Sequence, residues 1–326
     1  MLVNTDEKIV DFIASKKQVT AKQIVEYLEI SKQATFRHLA KLLAEGRIVK
    51  IGKPPKVIYR ISEAELPTEV VVHIDADIQD SIEKEYLYTS PTGEMKEGWR
   101  GFVAWCEKTN QPVSKTACEY VSTLKKYDVY KKNGFIVGTE KFKKTFPTVF
   151  LNEIFYVDFY SIERFGKTKL GQLLLYAKQS QNKQLIKRLV QTIQSKVTWL
   201  IQHYNIDGVG FIPPTVKREV QLMNELRTQL HLKQRLVSLT KITGDIAVPQ
   251  KTLSKLEDRI ENARKTIIVT EQAHFQNILL IDDAVGSGAT LNETAAQIRG
   301  KNICEQKIIG LSLTGSFKGF DVISEV

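Results

Sequence analysis

The stretch from Ile278 to Leu291, ILLIDDAVGSGATL, constrains the fold more than any other part of the chain. Its aliphatic residues precede two aspartates and a turn built from Gly, Ser, Ala and Thr. An apolar run that ends in acids and glycines predicts a buried parallel strand, a loop and then a helix. Backbone N–H groups at the start of such a helix can bind a phosphate. The stretch therefore predicts a phosphate-binding loop at one edge of a parallel sheet.

Helical and strand patterns alternate around this stretch, from about residue 152 to the end of the chain. The predicted strands are residues 208–214, 236–242, 265–269, 277–283 and 307–313, and the predicted helices are residues 182–204, 215–230, 254–264 and 289–299. Strands that alternate with helices predict an α/β domain with a parallel sheet, whose ligands bind at the carboxyl ends of the strands.

Residues 1–61 have a different pattern, which predicts short helices followed by a hairpin. Thr20 and Ser31 are suitable N-caps for helices that end at Leu28 and near Glu45. The predicted buried stripe of the second helix is Phe36, Leu39, Leu42 and Leu43. Residues 48–51 and 57–61 alternate as strands around a basic KPPK tip. This arrangement resembles the winged helix-turn-helix (α+β) domains of bacterial and archaeal regulators.

The positive charge of residues 32–60 favours a nucleic acid as the binding partner of this region. Eight Lys or Arg residues lie between Lys32 and Arg60, against one acid. The residues expected to contact duplex DNA are Lys32, Gln33, Thr35, Arg37, His38 and Lys41 on the exposed side of the second helix, and Lys53 and Lys56 at the hairpin tip. A winged helix used only for protein contacts is the alternative. DNA-binding winged helices usually read paired half-sites, so a homodimer is expected.

The middle of the chain, residues 62–151, carries no recognisable chemical motif. Residues 62–76 are typical of a linker with a short strand, and the rest is predicted to be mainly helical, with a small aromatic core. The chain is thus expected to be multidomain, with a winged helix at 1–61, a linker and helical region at 62–151, and an α/β domain at 152–326.

Bulk properties narrow the class of protein. The net charge of +10 favours polyanionic partners. The chain contains no apolar run of about 18 residues, the length of a membrane span, and its start lacks the order of a signal peptide. Three cysteines without CxxC spacing argue against a disulfide framework and a cysteine zinc site. A cytoplasmic protein with no membrane partner and no metal site of its own is expected.

The phosphate loop closely resembles the phosphoribosyl diphosphate (PRPP) motif of type I phosphoribosyltransferases, in which four hydrophobic residues precede two acids and a Thr/Gly-rich turn. The resemblance implies that Asp282 and Asp283 bind the ribose hydroxyls, and that an acid there supports the charged transition state as the catalytic group. The implied PRPP-binding residues are Asp282, Asp283, Ala284, Val285, Gly286, Ser287, Gly288, Ala289 and Thr290. Mg²⁺ is expected to accompany PRPP.

Residues 168–326 also resemble the ComF family of competence-associated phosphoribosyltransferase-like proteins. Its Pro-containing diphosphate loop corresponds here to Pro213, Pro214, Lys217 and Arg218, and its Gln…Leu…Arg…Asn pattern to Gln250, Leu253, Arg259 and Asn262. Residues 241–250 would form a hood over the site. The chain departs from the family in having no four-cysteine zinc ribbon, and MNEL stands where the family tends to have an RGFNQ-like run.

Three functions fit these features. The first is a transcriptional regulator whose DNA affinity depends on PRPP or a nucleotide. In design, the purine operon repressor of Gram-positive bacteria looks similar. The second is an active phosphoribosyltransferase that transfers the pentosyl group to a nucleobase or amine. The third is a ComF-like factor in DNA uptake or processing. The basic winged helix favours the regulator, because a housekeeping enzyme gives no reason for it.

Overall fold

A computed structural model of the chain describes residues 5–62, 74–216, 218–244, 246 and 248–317, without the side chains of Lys53 and Lys251. Two compact units result, residues 1–73 and 74–326. Most of the predicted linker at 62–76 therefore lies outside the described residues. None of the helices in the described part of the chain combines the length and apolarity needed to span a membrane.

The first unit consists of three helices and a hairpin. Its elements are α1 (Thr5–Lys16), α2 (Ala21–Leu28), α3 (Lys32–Ala44), β1 (Ile48–Lys53) and β2 (Lys56–Ile61). Thr20 and Ser31 cap α2 and α3 as predicted, because their hydroxyls accept the amides of Gln23 and Ala34. The core contains Ile9, Ile13, Val19, Ile24, Leu39, Leu42, Ile48 and Tyr59. Val19 also pairs with Tyr59 of β2, which ties the helices to the hairpin.

The predicted faces of α3 need a correction. Thr35 was expected to face solvent, but it is fully buried, and its hydroxyl donates to the Ser31 carbonyl. Phe36 was expected in the buried stripe, but it is 44% exposed. The inner stripe follows the spacing i, i+4, i+7 through Thr35, Leu39 and Leu42, which turns Phe36 outward.

The second unit begins with helices and two short hairpins. These elements are α4 (Ala76–Glu85), β3 (Leu87–Thr89), β4 (Met95–Glu97), α5 (Gly98–Lys108), α6 (Val113–Asp128), β5 (Lys131–Lys132), β6 (Phe135–Val137) and α7 (Thr139–Thr145). Thus the predicted middle region is mainly helical but also contains strands.

Alternating strands and helices complete this unit. They are β7 (Glu153–Phe159), α8 (Lys169–Ser180), α9 (Lys183–His203), β8 (Gly208–Phe211), α10 (Leu222–Gln229), β9 (Arg235–Leu236), β10 (Leu239–Lys241), α11 (Leu256–Thr266), β11 (Ile267–Val269), β12 (Phe275–Val285), α12 (Ala289–Gly300) and β13 (Cys304–Gly315). Single 3₁₀ turns lie at Glu163–Phe165 and Gln250–Thr252.

One seven-stranded sheet has the order β5-β6-β7-β13-β12-β8-β9. Strands β7, β13, β12, β8 and β9 are parallel, whereas β5 and β6 join antiparallel at one edge. The predicted α/β domain with a mostly parallel sheet is confirmed. The predicted boundary at residue 151 falls inside the unit 74–326, because β6 pairs with β7 and β5 pairs with β6.

Alternate residues of β12 pack on opposite faces of the sheet. Ile278 and Leu280 belong to the core covered by α5, α6 and α12, whereas Leu279 and Ile281 belong to the core covered by α8, α9 and α10. All four side chains are fully buried. Strand β12 is therefore a central strand fixed on both faces, and it is a rigid support for Asp282 and Asp283, which lie near its carboxyl end.

Two predictions near the cleft were wrong. The helix expected at 215–230 begins only at Leu222, because Val216 is exposed and the Val220 amide donates to the Gln181 side chain, 2.8 Å away. The strands expected at 236–242 and 265–269 do not all enter the large sheet. Instead, β10 and β11 form a separate antiparallel pair, and Lys241 of β10 is the first residue of the segment 241–250 that was predicted to be the hood.

Candidate functional site

A cleft of about 190 Å³ opens at the carboxyl ends of β8 and β12. The predicted PRPP-binding residues that line it are Asp282, Asp283, Ala284, Val285, Gly286, Ser287, Gly288 and Thr290. Ala289 is buried behind this wall as the first residue of α12. Residues far apart in sequence complete the cleft, which gives it three walls: the phosphate loop, the loop after β8, and the hood.

The acid pair forms the floor beside the phosphate loop. Asp282 and Asp283 are both partly buried at the end of β12, and the Asp283 amide donates to Asp282 Oδ1 at 2.8 Å. Lys178 from α8 donates to Asp283 Oδ2 at 2.6 Å. One carboxylate is thus neutralised by an ion pair, whereas Asp282 remains beside a second negative charge.

The electrostatics of the floor shift two pKa values. Burial, with a smaller contribution from the charge on Asp283, raises the pKa of Asp282 to about 7. Burial also lowers the pKa of Lys241 to about 8, although the nearby charge of Asp282 opposes that shift. Both groups therefore change charge near neutral pH, and an anionic or hydroxyl-bearing ligand would alter their protonation.

The phosphate loop leads directly into α12. Ser287 Oγ accepts the Ala289 amide at 3.3 Å, and α12 has no acidic residue in its first turn. Gly288 adopts a φ of +86°, and a Cβ there would lie 2.2 Å from Cζ of Phe142. Glycine is therefore required for both the backbone conformation and the space. The loop presents a helix N-terminus to the cleft, where the helix dipole favours an anion.

The predicted middle region supports this loop. Phe142 of α7 is buried against Gly288. Asn292 of α12 accepts the Phe150 amide at 3.0 Å and donates to the Thr148 carbonyl at 2.9 Å. Both contacts join α12 to segments that the sequence left without a role.

Gly288→Ala is expected to destabilise the protein by about 2–4 kcal/mol, because the strained φ and the overpacked ring contact act together. Gly300→Ala is the matched control, since Gly300 ends the same helix and has open space around its Cα. That control should change the free energy of unfolding by less than about 0.5 kcal/mol. Urea titration of both variants checks this, and equal stabilities would refute the constraint at Gly288.

The loop after β8 forms the second wall. Pro213, Pro214 and Arg218, which were predicted to bind diphosphate, line the cleft together with Thr215 and Val216. The fourth predicted residue of this group, Lys217, lies outside the described residues. Because α10 starts only at Leu222, residues 214–216 and 218–221 precede the helix, and Pro214, Thr215, Val216, Arg218 and Gln221 among them line the cleft.

The third wall of the cleft is the hood wall, which consists of Lys241, Pro249 and Gln250 of the predicted hood and Arg259 of α11. Two residues of the predicted family pattern act differently: Leu253 accepts a bond from Arg259 through its carbonyl, and Asn262 lies outside the cleft lining. The hood wall thus adds two cations, Lys241 and Arg259, to Lys178 and Arg218.

Lys178 is the cleft residue that sequence reasoning missed. It is separated from Asp283 by 105 positions, and a lysine in a helix is usually a solvated surface residue. Its neighbours offered one signal, because Leu174, Leu175 and Ala177 are all apolar and buried. A lysine between such neighbours is a candidate for a buried ion pair.

The first unit carries the second candidate site, on α3 and the hairpin tip. Lys32, Gln33 and Arg37 are exposed on α3, and Lys56 is exposed on β2. His38 and Lys41 are held instead by Asp6 of α1, whose carboxylate oxygens lie 2.6 Å from His38 Nδ1 and 2.7 Å from Lys41 Nζ. The hydrogen bond from Lys41 is the main cause that lowers the pKa of the buried Asp6.

No protein-family model matches this chain, and no curated protein matches it.

Proposed function

We propose that the protein is a DNA-binding regulator whose C-terminal unit binds PRPP or a related nucleotide. The observation that carries the proposal is the cleft itself, in which an acid pair, a helix N-terminus and four cationic side chains line one space. Such a site suits a ligand with hydroxyls and more than one anionic group. The exposed basic residues of α3 supply the reason to assign DNA to the first unit.

The parts of PRPP match the walls of the cleft. The 5′-phosphate would lie at residues 286–290, against the start of α12. The ribose hydroxyls would donate to Asp282 and Asp283, which are the only acids among the described residues of the cleft lining. The diphosphate would face Arg218 and the loop at 213–216, because guanidinium groups bind phosphate oxygens in pairs.

Mg²⁺ fits this site as a companion of PRPP. Proteins bind Mg²⁺ through one or two carboxylates when substrate phosphates supply other oxygens. Asp282 and Asp283 are two adjacent carboxylates at the cleft floor, and they would face the ion. When bound, Mg²⁺ neutralises charge on the diphosphate. Lys178 already donates to Asp283 Oδ2 at 2.6 Å, and this contact fixes the orientation of that carboxyl group beside the ion.

The DNA surface is proposed to be Lys32, Gln33 and Arg37 of α3, with Lys53 and Lys56 at the hairpin tip contacting phosphates. Arg37 is exposed and makes no ion pair within the described part of the chain. Exposed Phe36 adds an apolar side chain on the same helix, a type that contacts thymine methyl groups. His38 and Lys41 contribute less in this proposal, because Asp6 already binds both. A homodimer that reads paired half-sites is part of the proposal.

Arg37→Ala is expected to weaken binding to a duplex DNA site by about 1–3 kcal/mol, through loss of a base or phosphate contact. Lys41→Ala should weaken it less, because Lys41 Nζ is bonded to Asp6. Lys22→Ala is the matched control, since Lys22 is a highly exposed lysine of α2 outside the proposed surface. Fluorescence anisotropy at several salt concentrations measures each affinity and its salt slope. Equal affinities for Arg37→Ala and Lys22→Ala would exclude α3 as the recognition helix.

A second candidate function is catalysis of phosphoribosyl transfer. It is favoured by the acid pair at the cleft floor, because both carboxylates are present and one is beside Lys241. In this reaction an acceptor nitrogen forms a bond to the anomeric carbon, while the bond from that carbon to the diphosphate oxygen breaks. A carboxylate near the ribose would stabilise the positive charge that develops on the sugar.

Calorimetry with PRPP and Mg²⁺, followed by a diphosphate-release assay with a panel of nucleobases and amines, separates these functions. Binding without release supports the regulator. Release with one acceptor supports the enzyme. Absence of binding to the full-length protein would refute both readings of the cleft.

A further inference from the structure

Arg259 is a buried cation at the hood wall of the cleft. It lies in the second turn of α11 and is only 4% exposed, yet it is among the residues that line the cleft. Its Nε donates to the Leu253 carbonyl at 2.7 Å. Its Nη2 has no hydrogen-bond partner among the residues that the structure describes.

No carboxylate in the described part of the chain forms an ion pair with Arg259, and burial alone lowers its pKa. Burying a charged group without a counterion destabilises a protein by several kcal/mol. The hydrogen bond to the Leu253 carbonyl uses one N–H group, and an uncharged donor could form the same bond. The positive charge of Arg259 is therefore not explained by the fold.

Arg264 on the same helix behaves in the usual way. Its side chain is 66% exposed, and its Nε donates to Glu293 Oε2 at 2.9 Å. The exposed arginine of α11 thus has a carboxylate partner, whereas the buried arginine that faces the cleft has none. The hood wall therefore contains a buried positive charge that lacks a counterion among the described residues.

The neighbours of Arg259 suit a bound ligand. Gln250, also in the cleft lining, donates its side-chain amide to the Arg259 carbonyl at 2.9 Å and so fixes the 3₁₀ turn against α11. The Gln250 Oε1 is buried without a partner in the described residues. Lys241 adds a second cation on this wall, with its Nζ held by Thr266 Oγ1 at 2.6 Å.

We propose that Arg259 is an anion-binding residue and that the ligand of this cleft carries an oxyanion at the hood wall in addition to its ribose phosphate. The position of the ribose phosphate rests on the function proposed above. The shared chemistry is a group of anionic oxygens, which accepts charge-assisted hydrogen bonds from the guanidinium. It has two sources, the diphosphate of PRPP or a carboxylate on the acceptor or effector.

Calorimetry on the full-length protein with three probes tests this proposal: ribose 5-phosphate, inorganic pyrophosphate with Mg²⁺, and pyridine-3-carboxylate. The variants are Arg259→Met, Arg259→Lys and, as the control, Arg264→Met. One lost charge-assisted contact should lower affinity about tenfold to a hundredfold. We expect this loss for pyrophosphate or for the carboxylate in Arg259→Met, with ribose 5-phosphate unchanged and Arg264→Met like the wild type.

Each outcome separates the two proposals. Loss of pyrophosphate binding identifies the diphosphate as the source, and loss of carboxylate binding identifies the acceptor or effector. If ribose 5-phosphate binds but neither anion depends on Arg259, the anion site is refuted and the proposed function stands. If the wild type does not bind ribose 5-phosphate, the proposed function fails, and pyrophosphate and carboxylate alone decide the role of Arg259. If Arg259→Met does not fold, the affinities of Arg259→Lys decide the question. Lysine keeps the positive charge but lacks the paired donors of the guanidinium, so this variant should also bind the anion more weakly than the wild type does.

Discussion

Asp282→Asn is expected to lower the affinity for PRPP and Mg²⁺ about a hundredfold while stabilising the ligand-free protein. The asparagine side chain lacks the negative charge with which the Asp282 carboxylate would attract the ribose hydroxyls and Mg²⁺. Each hydrogen bond to a charged group contributes about 1.5–3 kcal/mol to binding. Calorimetry measures the affinity. The matched control is Asp258→Asn, which should bind PRPP as the wild type does, because Asp258 is an exposed residue of α11 outside the cleft lining.

The gain in stability follows from the pKa of Asp282, which is raised in the folded protein from 3.8 to about 7. The folded state therefore binds more protons than the unfolded state between these pH values. The stabilisation from protonated Asp282 is complete below pH 3.8 and is lost as the pH rises through 7. Asparagine cannot ionise, so the variant should exceed the wild type most at pH 8, by on the order of 1–2 kcal/mol after allowance for partial exposure.

Asp283→Asn should have the opposite effect on stability. Asp283 holds Lys178 at 2.6 Å, and both side chains are less than one-fifth exposed. Removing that charge leaves a mostly buried lysine without its carboxylate, which destabilises the protein. Urea titrations of both variants at pH 4 and pH 8 test whether Asp282→Asn raises and Asp283→Asn lowers the free energy of unfolding. If Asp282→Asn is less stable than the wild type at pH 8, burial and the charge on Asp283 do not destabilise the Asp282 carboxylate of the wild type.

The central elements were predictable because their residues have no other way to be buried. Strand β12 carries four consecutive fully buried aliphatic residues, which only a central strand can cover on both faces. The caps at Thr20 and Ser31 and the hairpin at residues 48–61 were equally local signals. The phosphate loop followed from β12, because the turn after a parallel strand lies at the edge of the sheet where the strands have their carboxyl ends.

The errors arose where one local pattern fits two structures. In α3, Thr35 keeps helical spacing with Leu39 and Leu42, and Phe36 keeps it with Leu39 and Leu43. Packing against α1 and α2 buries Thr35 and leaves Phe36 exposed. Before α10, Val216 and Val220 have helical spacing, but the Val220 amide donates to the Gln181 side chain instead of to a helical carbonyl. Neither outcome depends on neighbours along the chain alone.

The charges of the cleft could be predicted only in part, because contacts between distant segments bring them together. Asp282, Asp283 and Arg218 were identified from their local motifs. Lys178 reaches Asp283 across 105 positions, and Phe142 of the middle region defines the space at Gly288. The Lys178–Asp283 and Phe142–Gly288 contacts depend on how the strands and helices are arranged in space, which the local sequence around each residue does not show.

DNA affinity of the wild type is expected to change about fivefold to a hundredfold when PRPP and Mg²⁺ saturate the cleft, the usual range for coupling between two sites. Asp282→Asn should bind DNA like the ligand-free wild type but should not respond to PRPP, because a ligand shifts an equilibrium only through its different affinities for the two states. Fluorescence anisotropy with duplex DNA, with and without PRPP, measures both proteins. The Arg37→Ala variant supplies the reciprocal control, since it should keep PRPP binding while losing DNA. A wild type whose DNA affinity ignores saturating PRPP and nucleotides would refute the regulator, and it would leave the transferase and the ComF-like DNA-processing factor as the remaining functions.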